Sequence, residues 1–278
     1  MADTTRTGTA DALRSLAASA ALGPGTLIDR TVLGRWPEPL LWRADAPAAP
    51  ECWERALPVL EGTGLRPVLL GRGSRGTAVE DDLLPAGGGG GDREPDAFAA
   101  LAAWWREHGA REPDGGAALR PYGRRWPGPA RARAAVRPGG GAERHGRADE
   151  AAASVARSLV ERGLLRRPRL ALVPARRSSA IPAAIGWTGA LAHGADTARR
   201  TAVLRSWEER FGVRVVALET EALHLSVPSP PRDAAQALPL AAEHYAFCPL
   251  VVRQGAGTLA RYAEKWLPGR DLWSFWWD

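Results

Sequence analysis

Between residues 111 and 147 the chain carries nine Arg, eight Gly and five Pro against three acids. No other feature limits its folding as much. A stretch of that composition buries too little apolar surface to offset the entropy of ordering. It reads as a disordered Arg/Gly/Pro insert between two folding segments. The expected organisation is an N-terminal α/β unit over 1–110, a basic linker over 111–147 and a C-terminal α+β domain over 148–278. The same stretch holds the charge. Nine Arg less three acids gives +6, the formal net charge of the whole chain. The remaining sequence is therefore neutral, and no basic folded face is needed to explain an isoelectric point near 10.2.

Hydrophobic residues make up 45% of 278, enough for a sizeable core. The chain has 36 Arg and one Lys, Lys265. That bias runs through the whole sequence and carries little chemical meaning. Cys52 and Cys248 are isolated, with no disulfide framework and no paired-cysteine metal knuckle. The N-terminus opens polar rather than with a basic start and an apolar stretch, and no run approaches the roughly 18 apolar residues of a membrane helix. The expectation is a cytoplasmic protein with no membrane segment, no metal and no cofactor.

Periodicity supplies the elements. A short helix is expected over 9–22, strands around 26–33 and 39–42, a helix over 51–63 and a buried strand over 65–70. Helices follow over 95–109 and about 148–163, then a strand over 169–173. Asp196 caps a helix over 197–211, whose Val203, Leu204, Trp207 and Phe211 form one apolar face. Residues 213–218 and 223–227 read as a hairpin. Further helices are expected from Ser229-Pro230-Pro231 to Cys248 and over 257–267, before a last strand over 271–277. An α+β fold with a mixed or antiparallel sheet and helices packed on one face would bury these pieces. Trp273, Phe275 and Trp277 alternate with Leu272, Ser274 and Trp276. Two apolar faces suit a central strand, and core packing is favoured over an exposed aromatic stripe.

Several segments in order carry a resemblance. They are Leu170–Pro174, Gly189-Ala190-Leu191, Val203–Trp207, Ala242–Cys248, Gln254–Leu259, Tyr262-Ala263 and Trp273–Asp278. Together they resemble the DUF 4253 family, a bacterial domain of unknown function, over about 165–278. Gly62-Thr63-Gly64-Leu65 with Val68-Leu69-Leu70 is similar to the region preceding that domain in longer members. The resemblance implies no activity. Similar proteins often carry Asn where this chain has Ala192 and an acid where it has Leu250, which weakens an enzyme reading.

His244 and Cys248 are four residues apart on one predicted helix, the spacing of a nucleophile and its base or of half a metal site. The place of Cys248 on an apolar stripe with Leu238, Ala241 and Tyr245 favours a core role. Glu243, His244 and Gln254 could border a pocket at the turn 248–257, with bracing of that turn by Gln254 as the simpler reading. His193 and Asp196 flank a loop, and Asp196 suits a helix cap. Gly255-Ala256-Gly257 lacks the strand and third glycine of a dinucleotide fingerprint, and the glycines 87–91 lack the Lys-Ser/Thr of a phosphate loop.

Three functional readings follow. The first is a non-catalytic binding or regulatory module holding a protein or peptide partner near the C-terminal sheet, with Gln254, His193, Trp273 and Trp276 as candidate contacts. An immunity-like role against a toxin is one version. The second is a hydrolase or transferase built on Glu243, His244 and Gln254, with His193 and Cys248 as further candidates for that site. The third is nucleic-acid binding by the insert alone, through Arg and the interleaved Tyr122 and Trp126, disfavoured because no recognised nucleic-acid module accompanies it.

Overall fold

The structure, a computed structural model, describes residues 2–84, 95–113, 116–131, 141–190 and 196–277. The N-terminal elements are α1 (Ala2–Ala18), β1 (Gly25–Ile28), β2 (Arg30–Thr31), β3 (Gly34–Arg35), β4 (Leu41–Ala44), α2 (Cys52–Leu60), β5 (Leu65–Leu70) and α3 (Ala97–Ala110). Then come α4 (Gly141–Glu161), β6 (Arg169–Pro174), α5 (Ile181–Ile185), α6 (Thr197–Phe211), β7 (Arg214–Leu218) and β8 (Ala222–Ser226). The chain continues through α7 (Ala234–Phe247), α8 (Leu250–Arg253), α9 (Leu259–Lys265) and β9 (Leu272–Trp276).

Seven strands form one mixed sheet in the order β1-β4-β6-β5-β7-β8-β9, with β5 and β7 parallel and the other neighbours antiparallel. This is the expected α+β class. Helices cover both faces of the sheet rather than one. The first face packs against α3, α6, α7 and α9. The second packs against α1, α2 and α4 through Leu13, Trp53 and Ala152. Every residue of β7 is buried, and a strand apolar on both sides needs a layer on each.

Local chemistry sets the helix ends. Asp196 accepts from the Arg199 N–H at the start of α6, and Gly212, at φ 72°, closes it in the left-handed conformation that glycine tolerates best. Helix α7 starts later than the Pro230-Pro231 pair suggested. Asp233 is the cap, accepting from the Gln236 N–H, because its carboxylate satisfies a donor that proline lacks the means to satisfy.

Two further expectations are corrected. Strand β9 lies at the sheet edge, paired only with β8, rather than in the centre. Its Trp273 and Phe275, and Trp277 just after it, are buried, and its other face is half-buried. Of the described residues of the insert, 111–113, 116–131 and 141–147, the stretch 116–131 packs against the core. Leu119 and Ala130 are buried, Tyr122 and Trp126 pack on the same cluster, and Trp105 Nε1 donates to the Arg124 carbonyl at 3.2 Å. Tertiary partners supply what the local composition lacks. Residues 114–115 and 132–140 lie outside the described residues.

Strand β5 sits between β6 and β7, so residues 65–70 complete the sheet built by the C-terminal half. A fragment spanning 165–278 alone would leave the facing edges of β6 and β7 unpaired. Circular dichroism and urea titration of that fragment should show no cooperative unfolding transition, whereas a two-state transition would mean that β5 is dispensable.

Candidate functional site

The candidate catalytic residues Glu243, His244 and Cys248 lie buried in the core rather than gathered at a cleft. The Glu243 carboxylate is fully buried. It accepts from Arg210 Nη1 at 2.8 Å and Nη2 at 2.6 Å, from Trp207 Nε1 at 2.6 Å and from the Ala130 N–H at 2.6 Å. A carboxylate has about four lone-pair sites, so this one has nothing left for a substrate. His244 is also fully buried, its Nδ1 3.0 Å from the Tyr262 hydroxyl and its ring against Trp207, Trp273 and Phe275. Burial, reinforced by the Arg210 charge, pushes its pKa down to about 3. The ring stays neutral at physiological pH. Cys248 Sγ donates to the Trp276 carbonyl at 3.0 Å, and burial pushes its pKa up to about 12. A thiol held protonated is a packing group rather than a nucleophile. The spacing of four places His244 and Cys248 on one side of α7, as expected, and that side faces the core.

Gln254 is exposed and braces the strand end, accepting from Trp276 Nε1 at 2.9 Å. Trp273 is 2% exposed, with its ring centroid 5.8 Å from that of Trp207. Asp196 caps α6 and pairs with Arg199. His193 and Ala192 lie outside the described residues, as do the glycines 87–91. At Gly255 a Cβ would strike the Val251 carbonyl, so this glycine permits a close turn between α8 and α9. Among the described residues, no three His, Cys, Asp or Glu side chains are grouped to hold a metal ion, and no helix is long and apolar enough to cross a membrane.

A groove of about 500 Å³ runs beside β9. Val155, Leu159, Arg162 and Leu164, on α4 and just after it, form one wall. Tyr262, Lys265, Trp266 and Arg270 form the other, and residues 271–274 and 276 form the floor. Register explains why the floor is open. The Val227 N–H donates to the Asp271 carbonyl, and the Trp277 N–H to that of Glu221. In an antiparallel pair such bonded positions alternate. Asp271, Trp273, Phe275 and Trp277 therefore turn their backbone toward β8, and Leu272, Ser274 and Trp276 turn theirs away. Cys248 covers the Trp276 carbonyl. Among the described residues nothing bonds the other outward groups.

One constellation escaped sequence reasoning. Ser274 and His224 face each other as a non-bonded cross-strand pair, where side chains approach most closely. Ser274 Oγ lies 2.9 Å from His224 Nδ1, and His224 Nε2 lies 3.6 Å from Glu219 Oε2. Hydroxyl, imidazole and carboxylate thus stand in series, with Ser274 alone of the three lining the groove. The first distance suits proton transfer and the second exceeds a hydrogen bond. Glu219 also accepts from the Arg166 N–H through Oε1. Only the β8–β9 register brings residues fifty positions apart together, and no sequence motif announces it.

The Glu243 cluster makes a stability prediction. Glu243→Gln places an amide among four donors and leaves Arg210, 14% exposed, without its counter-charge. Breaking such a pair should cost about 3–5 kcal/mol in urea unfolding. A loss below about 1 kcal/mol would mean that the pair is solvated like a surface bridge.

Comparison with known proteins adds one match. No curated protein and no solved structure matches the chain. The matched segment begins at the first residue of β6 and contains β9 and the groove floor, while β5 and α4 lie outside it. Residues 169–278 match the family model described as Domain of unknown function (DUF4253), the family that the C-terminal motifs resemble.

Proposed function

We propose that this protein is a binding module that holds a polypeptide partner in the groove beside β9, without catalysis by Glu243, His244 or Cys248. The observation that carries the reading is the unpaired outward edge of β9 lying at the bottom of a lined groove. Among the described residues five large hydrophobics are exposed, and two of them, Leu164 and Trp266, each 47% exposed, line this groove. Exposed apolar groups gathered at one place mark interaction sites more often than scattered ones do. The loss of all solvent access at Glu243 and His244 supports the same reading, since a catalytic group has to reach its substrate. An immunity-like role, with a toxin polypeptide as partner, is one form of such a module.

The second reading is a hydrolase, moved from Glu243, His244 and Gln254 to Ser274, His224 and Glu219. The 2.9 Å Ser274–His224 contact at a groove floor favours it. In that case the hydroxyl would attack an acyl carbon, with its proton passing to His224 and then to the leaving group.

One pair of measurements separates the two. Random peptides displayed on phage are selected on the wild-type protein and re-measured on Trp266→Ala. The binding reading expects selected peptides that lose about ten-fold in affinity or more, about 1.4 kcal/mol, while the variant unfolds at an unchanged urea midpoint. Peptides that bind both proteins equally would place the partner elsewhere. In parallel, a serine-reactive fluorophosphonate should leave the wild type unlabelled. Labelling that disappears in Ser274→Ala would favour the hydrolase.

A further inference from the structure

We infer that the groove takes its partner as an added β-strand, an extended acidic segment that pairs with the outward edge of β9. This rests on the binding reading above and adds the partner's conformation and charge. The conformation follows from the register. The outward edge offers the N–H and C=O of Leu272, the N–H and C=O of Ser274 and the N–H of Trp276. These recur every second residue, the repeat that an extended strand presents and a helix does not. The groove walls stand on the two faces of the sheet: α4 packs with the cluster containing Leu172 and Val216, and α9 with the cluster containing Phe275. An added strand would send alternate side chains toward α4 and toward α9.

The charge follows from the walls. Arg162 stands on the α4 side, and Lys265 and Arg270 on the α9 side; all three are exposed. Among the described residues none of the three makes an ion pair. Asp271 is the one acidic side chain in the lining. Acidic side chains on both faces of the added strand would meet these cations, which favours an acidic occupant in rate and in specificity. The same cations disfavour a second copy of this chain. Two β9 edges pairing would bring the walls of one copy beside the like-charged walls of the other.

The test uses the full chain and synthetic peptides of about eight residues, an ordinary strand length. The first repeats Val-Val-Glu-Glu, which puts glutamate on both faces of a strand, the second repeats Val-Val-Lys-Lys, and the third is the first peptide N-methylated at every residue so that neither edge can donate to β9. We expect the glutamate peptide to bind at least about ten-fold more tightly than either control, and to bind less tightly as salt rises. Ser274→Pro deletes an outward N–H without removing a β8 bond, so it should abolish binding, whereas Ser274→Ala should retain it. Zero-length carbodiimide coupling should join a peptide glutamate to Lys265, the one lysine in the chain. If Ser274→Pro fails to fold, the N-methylated peptide on the wild type decides alone. Equal binding of the N-methylated peptide would overturn strand addition, and equal binding of the lysine peptide would overturn the acidic preference. A concentration-dependent dimer that blocks all three peptides would overturn the inference in favour of a second copy. Where phage-selected peptides bind through Trp266 but the glutamate peptide does not, the binding reading survives and this inference falls.

Discussion

A carboxylate removed from water must be neutralised and fully hydrogen-bonded, or it destabilises the fold by several kcal/mol. Glu243 meets that demand with donors from three places: Ala130 in the insert, and Trp207 and Arg210 on α6. One side chain thereby fixes α7 against α6 and holds residue 130 beside both. The consequences reach the edge of the sheet. With its N–H tied to Glu243, the Trp207 ring stacks on Phe275 at 5.4 Å and 13° and meets Trp273 edge-on at 5.8 Å. The inner face of β9 packs against an aromatic cluster that this carboxylate orients.

The two sides of β9 are therefore unequal. Its inner face is fixed by rings, and its outward edge, apart from the Trp276 carbonyl that Cys248 covers, is left open. Edge strands in natural proteins are commonly protected by proline, bulges or charges within the strand. Strand β9 has none of these between Leu272 and Trp276. The charges stand instead on the groove walls, at Arg162, Lys265 and Arg270. Each new backbone bond contributes only about 0.5–1.5 kcal/mol net, and ordering the partner offsets much of that sum. Burial of Trp266 and Leu164 would then decide how tightly a strand is held, and the cations which strand it is.

Much of the fold was legible because local rules and tertiary structure agree. The Asp196 cap, the apolar face of α6, the β7–β8 hairpin and the burial of Trp273, Phe275 and Trp277 all follow from periodicity and capping. What was hidden depends on pairing across long separations. Nothing local says that β5 enters between β6 and β7, or that β9 ends the sheet. The insert read as disordered because its composition has few apolar groups. Its order comes from distant partners: Glu243 and Arg210 for Ala130, and Tyr245 and Arg253 for Glu112. The candidate site was legible only in part. The sequence pointed to α7, where polar residues looked available and in fact satisfy one another. Ser274, His224 and the open edge become visible only with the β8–β9 register.

The central claim is that β9 is bonded on one side and open on the other. Amide hydrogen exchange, resolved residue by residue by NMR on the free protein, reads this directly. The account predicts an alternation: slow exchange at Trp273, Phe275 and Trp277, whose N–H groups face β8, and fast exchange at Leu272 and Ser274, whose N–H groups face the groove. Uniform protection along 272–277 would contradict it, because the outward edge would then already be covered.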